Sequence, residues 1–306
     1  MRTKPRVTLA TSQSLADLDA EDKPLVKALK DRGVDARVAV WDDPSVTWAK
    51  AGLVVIRSTR DYARRRARFL RWVHSVPALQ NPAAVVEWNT DKHYLEDLRA
   101  RGVPVLKTMW LEPDEGLTKR QLHTRFPASD EFVIKPAISG GAQDTGRYTA
   151  NVAESRRLAI EHAVRLLGEG RSVMVQRYQP SVDTLGERSL VFIDGQFVYA
   201  VHKAAMLHGP SLGSEDEHIE RIDTVVASDA ELEVAERVRA AVHTVMAERL
   251  QPDQPLLYAR VDLVADDEGR PTVMEVALTE PSLHFSHYPG ALETFADAIV
   301  RRVREG

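Results

Sequence analysis

The chain has 306 residues, 43% hydrophobic and 28% charged, an ordinary globular composition on a chain too long for one core of usual size, so two or three lobes are expected. With 41 Lys and Arg against 45 Asp and Glu the net charge is −4, which gives no broad attraction to nucleic acid. Cysteine is absent, excluding disulfides, thiolate metal sites and cysteine nucleophiles.

The opening Met1-Arg-Thr-Lys-Pro-Arg-Val-Thr-Leu-Ala10 lacks the apolar core of a signal peptide, and no later apolar run would span a bilayer. No membrane partner is expected, and a cytoplasmic location is. Val7–Ala10 reads as a strand, and Asp22-Lys-Pro-Leu starts a helix with Asp22 as N-cap and Gly33 past its end. Strands follow at Val34–Trp41 and Leu53–Arg57. This alternation predicts an α/β domain with a parallel sheet. Arg57 and Ser58 come directly after an apolar strand, where ligands of such sheets gather, so both are candidate substrate contacts. The alternative is that Ser58, Thr59 and Asp61 merely cap the arginine-rich helix that follows. In that helix apolar residues interleave with Arg64 to Arg71, which describes a solvated face.

Asn89-Thr-Asp-Lys92 is expected to open a helix ending at Arg101-Gly102, and Val103-Pro-Val-Leu106 to begin a strand. The first domain boundary falls here, giving an N-terminal domain of residues 1–105, a central lobe of 106–175 and a C-terminal lobe of 176–306. Leu117–Phe126 reads as a short helix with Thr118 as its cap. Next comes Phe132-Val-Ile-Lys-Pro-Ala-Ile-Ser-Gly-Gly-Ala-Gln-Asp-Thr145, a strand that delivers Lys135 to a loop of small residues. Ser139, Gly140 and Gly141 allow backbone N–H groups to approach an anion, and phosphate is the obvious one. A plain turn with a surface lysine weighs as much on this stretch alone.

Ala153–Leu167 has helical apolar spacing, and Val173–Tyr178 is strand-like. Ser189–Ile193 and Gln196–Val201 flank Asp194-Gly195, the strongest hairpin signal in the chain. Ala205–Asp223 has no periodicity and is expected to be a long irregular loop, functional or disordered. Asp229 is expected to cap a long helix. Leu257–Ala265 and Thr272–Ala277 form a strand pair around Asp266-Asp-Glu-Gly269, and His287–Arg304 is the closing helix. Alternation puts Arg260 and Asp262 on one face, and the hairpin brings Glu275 beside Asp262. Two adjacent carboxylates repel unless a cation lies between them, and Mg²⁺ suits such oxygen ligands. The competing reading is an Arg–Asp–Glu charge network at a sheet edge.

The ordered set Lys92, Lys135 with Ser139-Gly-Gly141, Gln176-Arg-Tyr178, Gly186-Glu187, Lys203, Arg260-x-Asp262 and Glu275 resembles the ATP-grasp superfamily, in particular its glutathione-synthetase-like carboxylate–amine ligases. The resemblance runs from about Asn89 to the end. It implies an N-terminal parallel-sheet domain, a small central lid lobe and a C-terminal, mostly antiparallel lobe, with ATP and two Mg²⁺ ions as cofactors. It further implies that Lys92 and Lys135 contact ATP phosphates beneath the Ser139–Gly141 loop. Gln176 and the backbone near Tyr178 would read adenine, and Glu187, with Asp183 competing, would hold the ribose. Lys203 and Arg260 would act on the transferring phosphoryl group, and Asp262 and Glu275 would bind the metal. Relatives commonly carry Asn or Glu where Ala277 stands, so Glu280 is expected to help hold the second ion. His284 and His287 lack a third ligand for zinc and read as surface or pocket residues.

The implied reaction transfers the γ-phosphoryl of ATP to a carboxylate, and an amine then displaces phosphate to form a C–N bond. Arg57-Ser-Thr and the Glu280-Pro-Ser282 tail are similar to small ligases that include the cyclo-ligase making D-cycloserine from O-ureido-D-serine, which makes Ser282 a substrate candidate. The expected partner is therefore a small amino-acid-like molecule, with a homo-oligomer left open. A small-molecule kinase and a non-catalytic nucleotide-binding regulator remain as alternatives, the latter because of Ala277.

Overall fold

The computed structural model describes residues 4–207, 209–210, 221–249 and 256–305. Much of the expected irregular loop Ala205–Asp223 lies outside them. Near the N-terminus, β1 (Arg6–Thr11), β2 (Asp35–Val40), β3 (Leu53–Ile56) and β4 (Leu79–Gln80) form a parallel sheet in the order β2-β1-β3-β4. The strands β1 and β3 are apolar and almost wholly buried, as a sheet covered on both faces requires. The helix α1 (Lys23–Asp31) buries Leu25, Ala28 and Leu29, and α2 (Arg66–Ser75) buries Phe69, Trp72 and Val73.

Asp22 stands at the N-cap position of α1, but its side chain caps nothing. Its carboxylate accepts instead from Arg57 and from the Ser58 hydroxyl, two buried donors that outcompete exposed helix N–H groups. Asn89 ends one helix, α3 (Ala83–Asn89), and the helix expected to open there starts only at Tyr94, as the separate α4 (Tyr94–Ala100). The chain breaks between them because Asn89 binds the backbone of Val276 and Leu278, and the Lys92 N–H donates to the Ala137 carbonyl. No strand begins at Val103. Pro104 has no N–H for a ladder, so Val105 makes only a single bridge to Val273 before the next strand.

In the central region β5 (Thr108–Leu111), β6 (Glu131–Pro136), β7 (Gly146–Thr149) and β8 (Val173–Arg177) form an antiparallel sheet in the order β5-β8-β6-β7. It is backed by α5 (Lys119–Arg125), capped by Thr118 as expected, and α6 (Ala153–Gly168). Phe132, Ile134, Tyr148, Ala159, Ala163 and Leu166 belong to a core of its own.

After the short α7 (Ser181–Leu185), β9 (Glu187–Ile193), β10 (Gln196–Lys203), β11 (Ile222–Val225), β12 (Tyr258–Ala265) and β13 (Pro271–Ala277) form the third sheet, β11-β10-β9-β12-β13, antiparallel throughout. The β9–β10 turn has positive φ at both Asp194 and Gly195, as the Asp-Gly pair predicts. The long helix α8 (Asp229–Arg249) is capped by Ser228, which exchanges hydrogen bonds with Glu231 and so displaces Asp229 from that role. The closing helix α9 (Ala291–Glu305) starts after Gly290 rather than at His287, because Phe285–His287 is a separate 3₁₀ turn. Val7, Leu9, Leu25 and Leu29 share one apolar cluster with Val191, Val201, Phe295 and Ile299, so the first and third sheets have a common core. Among the described residues no helix is long and apolar enough to cross a membrane.

Candidate active site

A cleft opens between the central sheet and the third sheet. On one wall, β6 contributes Val133 and Lys135 and β8 contributes Gln176; on the other, Glu187, Lys203, Arg260, Asp262 and Glu275 project from β9, β10, β12 and β13. Lys92 enters from the connection before α4, and Ser139, Gly140 and Gly141 form the rim. Residues scattered over almost two hundred positions thus face one space.

Asp262 and Glu275 are directly opposite in the β12–β13 register. Arg260 grips both oxygens of Asp262, with Nε at 2.9 Å and Nη2 at 2.8 Å. The Ser189 hydroxyl donates to the same carboxylate at 2.6 Å, and Lys203 Nζ lies 3.5 Å away. Burial would raise the Asp262 pKa, but Arg260 and Lys203 overcome it and hold the carboxyl far below its usual range. Lys203 also pairs with Glu187 at 2.9 Å, and Lys92 with Glu275 at 3.3 Å. Burial again opposes ionisation of Glu275, but Lys92 and Lys135 keep it below the ordinary value. Burial lowers Lys135 to about 8 despite nearby Glu275. The cleft therefore carries an internally neutralised set of cations and carboxylates.

Lys92 Nζ donates to the carbonyl and hydroxyl of Ser139, which fixes one end of the small-residue loop. At the other end Asp144 accepts from Arg165 and Arg171. Part of the cleft lining is an apolar cluster of Leu106, Val133, Val182, Leu207, Val264 and Met274. Gln176 stands beside it, its amide donating to Thr108 at 2.8 Å. The Tyr178 N–H donates to Glu131, and its hydroxyl to Asp183, which Arg147 holds with two further bonds.

Sequence reasoning did not find this apolar lining. Strict alternation turns Met274 away from Glu275, but the ladder slips between Asp262 and Leu263, a β-bulge that lets consecutive residues of β13 face the cleft.

Four expected site residues lie outside the cleft lining. Arg57 is buried, paired with Asp22 at 2.8 Å, donating to the Pro281 carbonyl at 3.1 Å and packed near the rings of Tyr258, Phe285 and Phe295. Ser58 bonds Asp22 and receives the Asp19 N–H. Ser282 donates to Glu21, and its carbonyl receives Arg260 Nη1. Glu280 lies under Gly140, with Arg60 Nε 3.7 Å from its Oε2. Burial pushes Glu280 up to about 7 against the pull of Arg60 and Arg260.

Among the described residues, no group of three His, Asp or Glu side chains is gathered as a metal cage. Asp262 and Glu275 nonetheless fit Mg²⁺, which commonly takes one or two carboxylates and completes its shell with phosphate oxygens and water.

Known proteins share this sequence and fold. The model for the N-terminal domain of D-cycloserine synthetase DcsG matches residues 7–85. Over 303 residues the chain is 36% identical to the cycloserine biosynthesis protein DcsG of Streptomyces lavendulae, covering 97% of this chain and 99% of that protein. The chain belongs to the DcsG family. The crystal structure of D-cycloserine synthetase DcsG superposes with a TM-score of 0.83 at 33% identity, over 97% of this chain and 99% of that one. An ATP-grasp RimK domain protein from Sphaerobacter thermophilus (TM-score 0.64, 18% identity, 98% and 99% covered) shares the fold. So does D-alanine–D-alanine ligase from Bacillus anthracis (0.64, 16%, 98% and 99%). This DcsG-family chain therefore has the expected ATP-grasp architecture.

Proposed function

We propose that the protein is an ATP-dependent, ADP-forming carboxylate–amine ligase that closes D-cycloserine from a linear O-substituted D-serine, O-ureido-D-serine being the specific candidate. The observation that carries this reading is the likeness to DcsG over nearly the whole of both chains, including the tail beyond Glu275. ATP and Mg²⁺ use goes with ligases of this fold, and a small amino-acid-like substrate goes with the family.

Lys92, Lys135 and Lys203 are placed to neutralise phosphate oxygens, and the apolar lining near Gln176 suits a purine. Asp262 and Glu275 would hold Mg²⁺, which would supply charge neutralisation of the phosphoryl oxygens. A second ion finds no third carboxylate grouped with this pair among the described residues. Arg260, fixed between Asp262 and the Ser282 carbonyl, orients the substrate carboxylate for attack on the γ-phosphoryl. The Ser139–Gly141 loop keeps water from the resulting acyl phosphate. The oxygen-bound nitrogen of the ureido group then displaces phosphate and closes the ring, and water cleaves the carbamoyl group from that nitrogen as carbamate, which breaks down to CO₂ and ammonia, so no nucleophilic side chain is needed.

The test is to incubate purified protein with ATP, Mg²⁺ and O-ureido-D-serine, following ADP, phosphate and product mass. ADP, free phosphate and D-cycloserine are expected. A stable phosphorylated product would instead make the protein a kinase.

A further inference from the structure

We propose that Glu280 is the seat of the substrate's free ammonium group and takes no part in holding metal. This rests on the reading that the substrate is amino-acid-like. Its carboxylate lies where three parts of the chain meet. A Cβ built at Gly140 of the central lobe would stand 3.3 Å from Oε1. Arg60, from the 3₁₀ turn that follows β3, brings its Nε no nearer than 3.7 Å to Oε2. The following residue, Pro281, is held by Arg57 through its carbonyl.

Oε2 is buried and accepts no hydrogen bond. Its three acidic neighbours in the site are each matched: Glu187 by Lys203 at 2.9 Å, Asp262 by Arg260 at 2.8 Å and Glu275 by Lys92 at 3.3 Å. A buried carboxylate oxygen left without a donor is costly, so one in a binding region is a place where a ligand donor is missing. Arg60 is too far away and too exposed to serve fully. Glu280 also stands outside the cleft lining that contains Asp262 and Glu275, and no three-carboxylate group is formed with them among the described residues.

An amino acid presents two charges a few bonds apart. With Arg260 assigned above to its carboxylate, Glu280 offers the matching acceptor for its ammonium. An ammonium carries three donors, and a charge-assisted bond to a carboxylate is the strong kind. Gly140 has no side chain, and a Cβ there would already crowd Oε1 at 3.3 Å, so the backbone of the small-residue loop covers this carboxylate directly. One movement of the loop then encloses both the nucleotide phosphates and the ammonium.

The experiment compares the wild type with Glu280→Gln on O-ureido-D-serine and on its analogue with hydrogen in place of the α-amino group. For the amino substrate, Glu280→Gln should raise KM by roughly 10–100-fold, the range for a hydrogen bond to a charged group. The KM for ATP and the Mg²⁺ concentration for half-maximal rate should stay within about twofold, and the deaminated analogue should be equally poor with both proteins. Thermal melting of the variant should stay near wild type and serves as the folding control. An unchanged KM for the amino substrate overturns the proposal. So does a shifted Mg²⁺ requirement with that KM unchanged, which would return Glu280 to the metal. If the wild type ignores O-ureido-D-serine, the proposed substrate falls. The ammonium seat is then read from phosphate release stimulated by free D-amino acids against their deaminated counterparts. No amino-acid stimulation at all would overturn both.

Discussion

Lys135 carries a charge that would suit a phosphate but that burial makes costly to the protein alone. Its folded-state pKa of about 8 lies below the unfolded value, so between about pH 8 and 10.5 the unfolded chain binds more protons. Stability contributed at this site therefore rises with pH through that window, and at pH 7 the charged lysine is a net liability. Lys135→Met should stabilise the nucleotide-free protein by about 1–3 kcal/mol at pH 7, discounted for partial exposure, with the gain shrinking towards pH 10. Urea midpoints at the two pH values measure this, while the KM for ATP should rise at least tenfold. Asp262 poses the opposite case, a carboxylate whose charge is matched by Arg260 and Lys203. Asp262→Asn should lower kcat by roughly 10³ or more, since metal-ion catalysis supplies several kcal/mol, and circular dichroism should show the fold retained. Near-normal turnover would remove Asp262 from the metal site.

At the scale of elements, the site depends on strand ends being brought into register. Gly186 has φ +62°, and a Cβ there would lie 2.2 Å from His202 Nε2 and 2.3 Å from the Lys203 carbonyl. It immediately precedes Glu187, which is paired with Lys203 across β9 and β10. Gly186→Ala must push those strand ends apart, costing about 2–4 kcal/mol and displacing two cleft residues at once. A lowered melting temperature together with a weakened ATP KM is expected; a change in neither would mean the strand ends give way freely. Several elements were legible because one local signal decided them: Asp194-Gly195 for the hairpin, Thr118 for a helix start, alternation at Arg260 and Asp262. The break after Asn89 was not legible, because its cause is a side chain reaching β13 nearly two hundred residues away. Met274 was hidden by a bulge that no periodic pattern announces. Arg57 was placed at the correct end of a strand, but sequence position does not reveal that Asp22 waits there to bury it.

At the scale of the whole molecule, the N-terminal sheet and the third sheet share one hydrophobic core, while the central sheet has a core of its own. Asn81 is the fastening between the first two. It is fully buried, donates to the Tyr258 and Leu278 carbonyls and accepts the Leu257 N–H. Tyr258 answers with its hydroxyl, which lies within hydrogen-bonding distance of the carbonyls of Ile56, Gln80 and Thr279. Asn81→Ala would leave three backbone groups unpaired and should cost about 2–5 kcal/mol in urea unfolding. Because Asn81 is remote from the cleft lining, ATP affinity at a temperature where the variant is folded should stay within about twofold. An unchanged urea midpoint would show that water replaces the amide at no cost.

The pairing of Arg57 with Pro281, and of Glu21 with Ser282 and Ser286, has a consequence for how such enzymes can be recombined. The segment around Glu280 is shaped from below by the first sixty residues, although it comes more than two hundred positions later in the chain. A chimera made by a single crossover near Val105 would inherit one half of each of these pairs from each parent. The natural unit of exchange is therefore discontinuous: the N-terminal sheet together with residues 278–288, transplanted as a matched set.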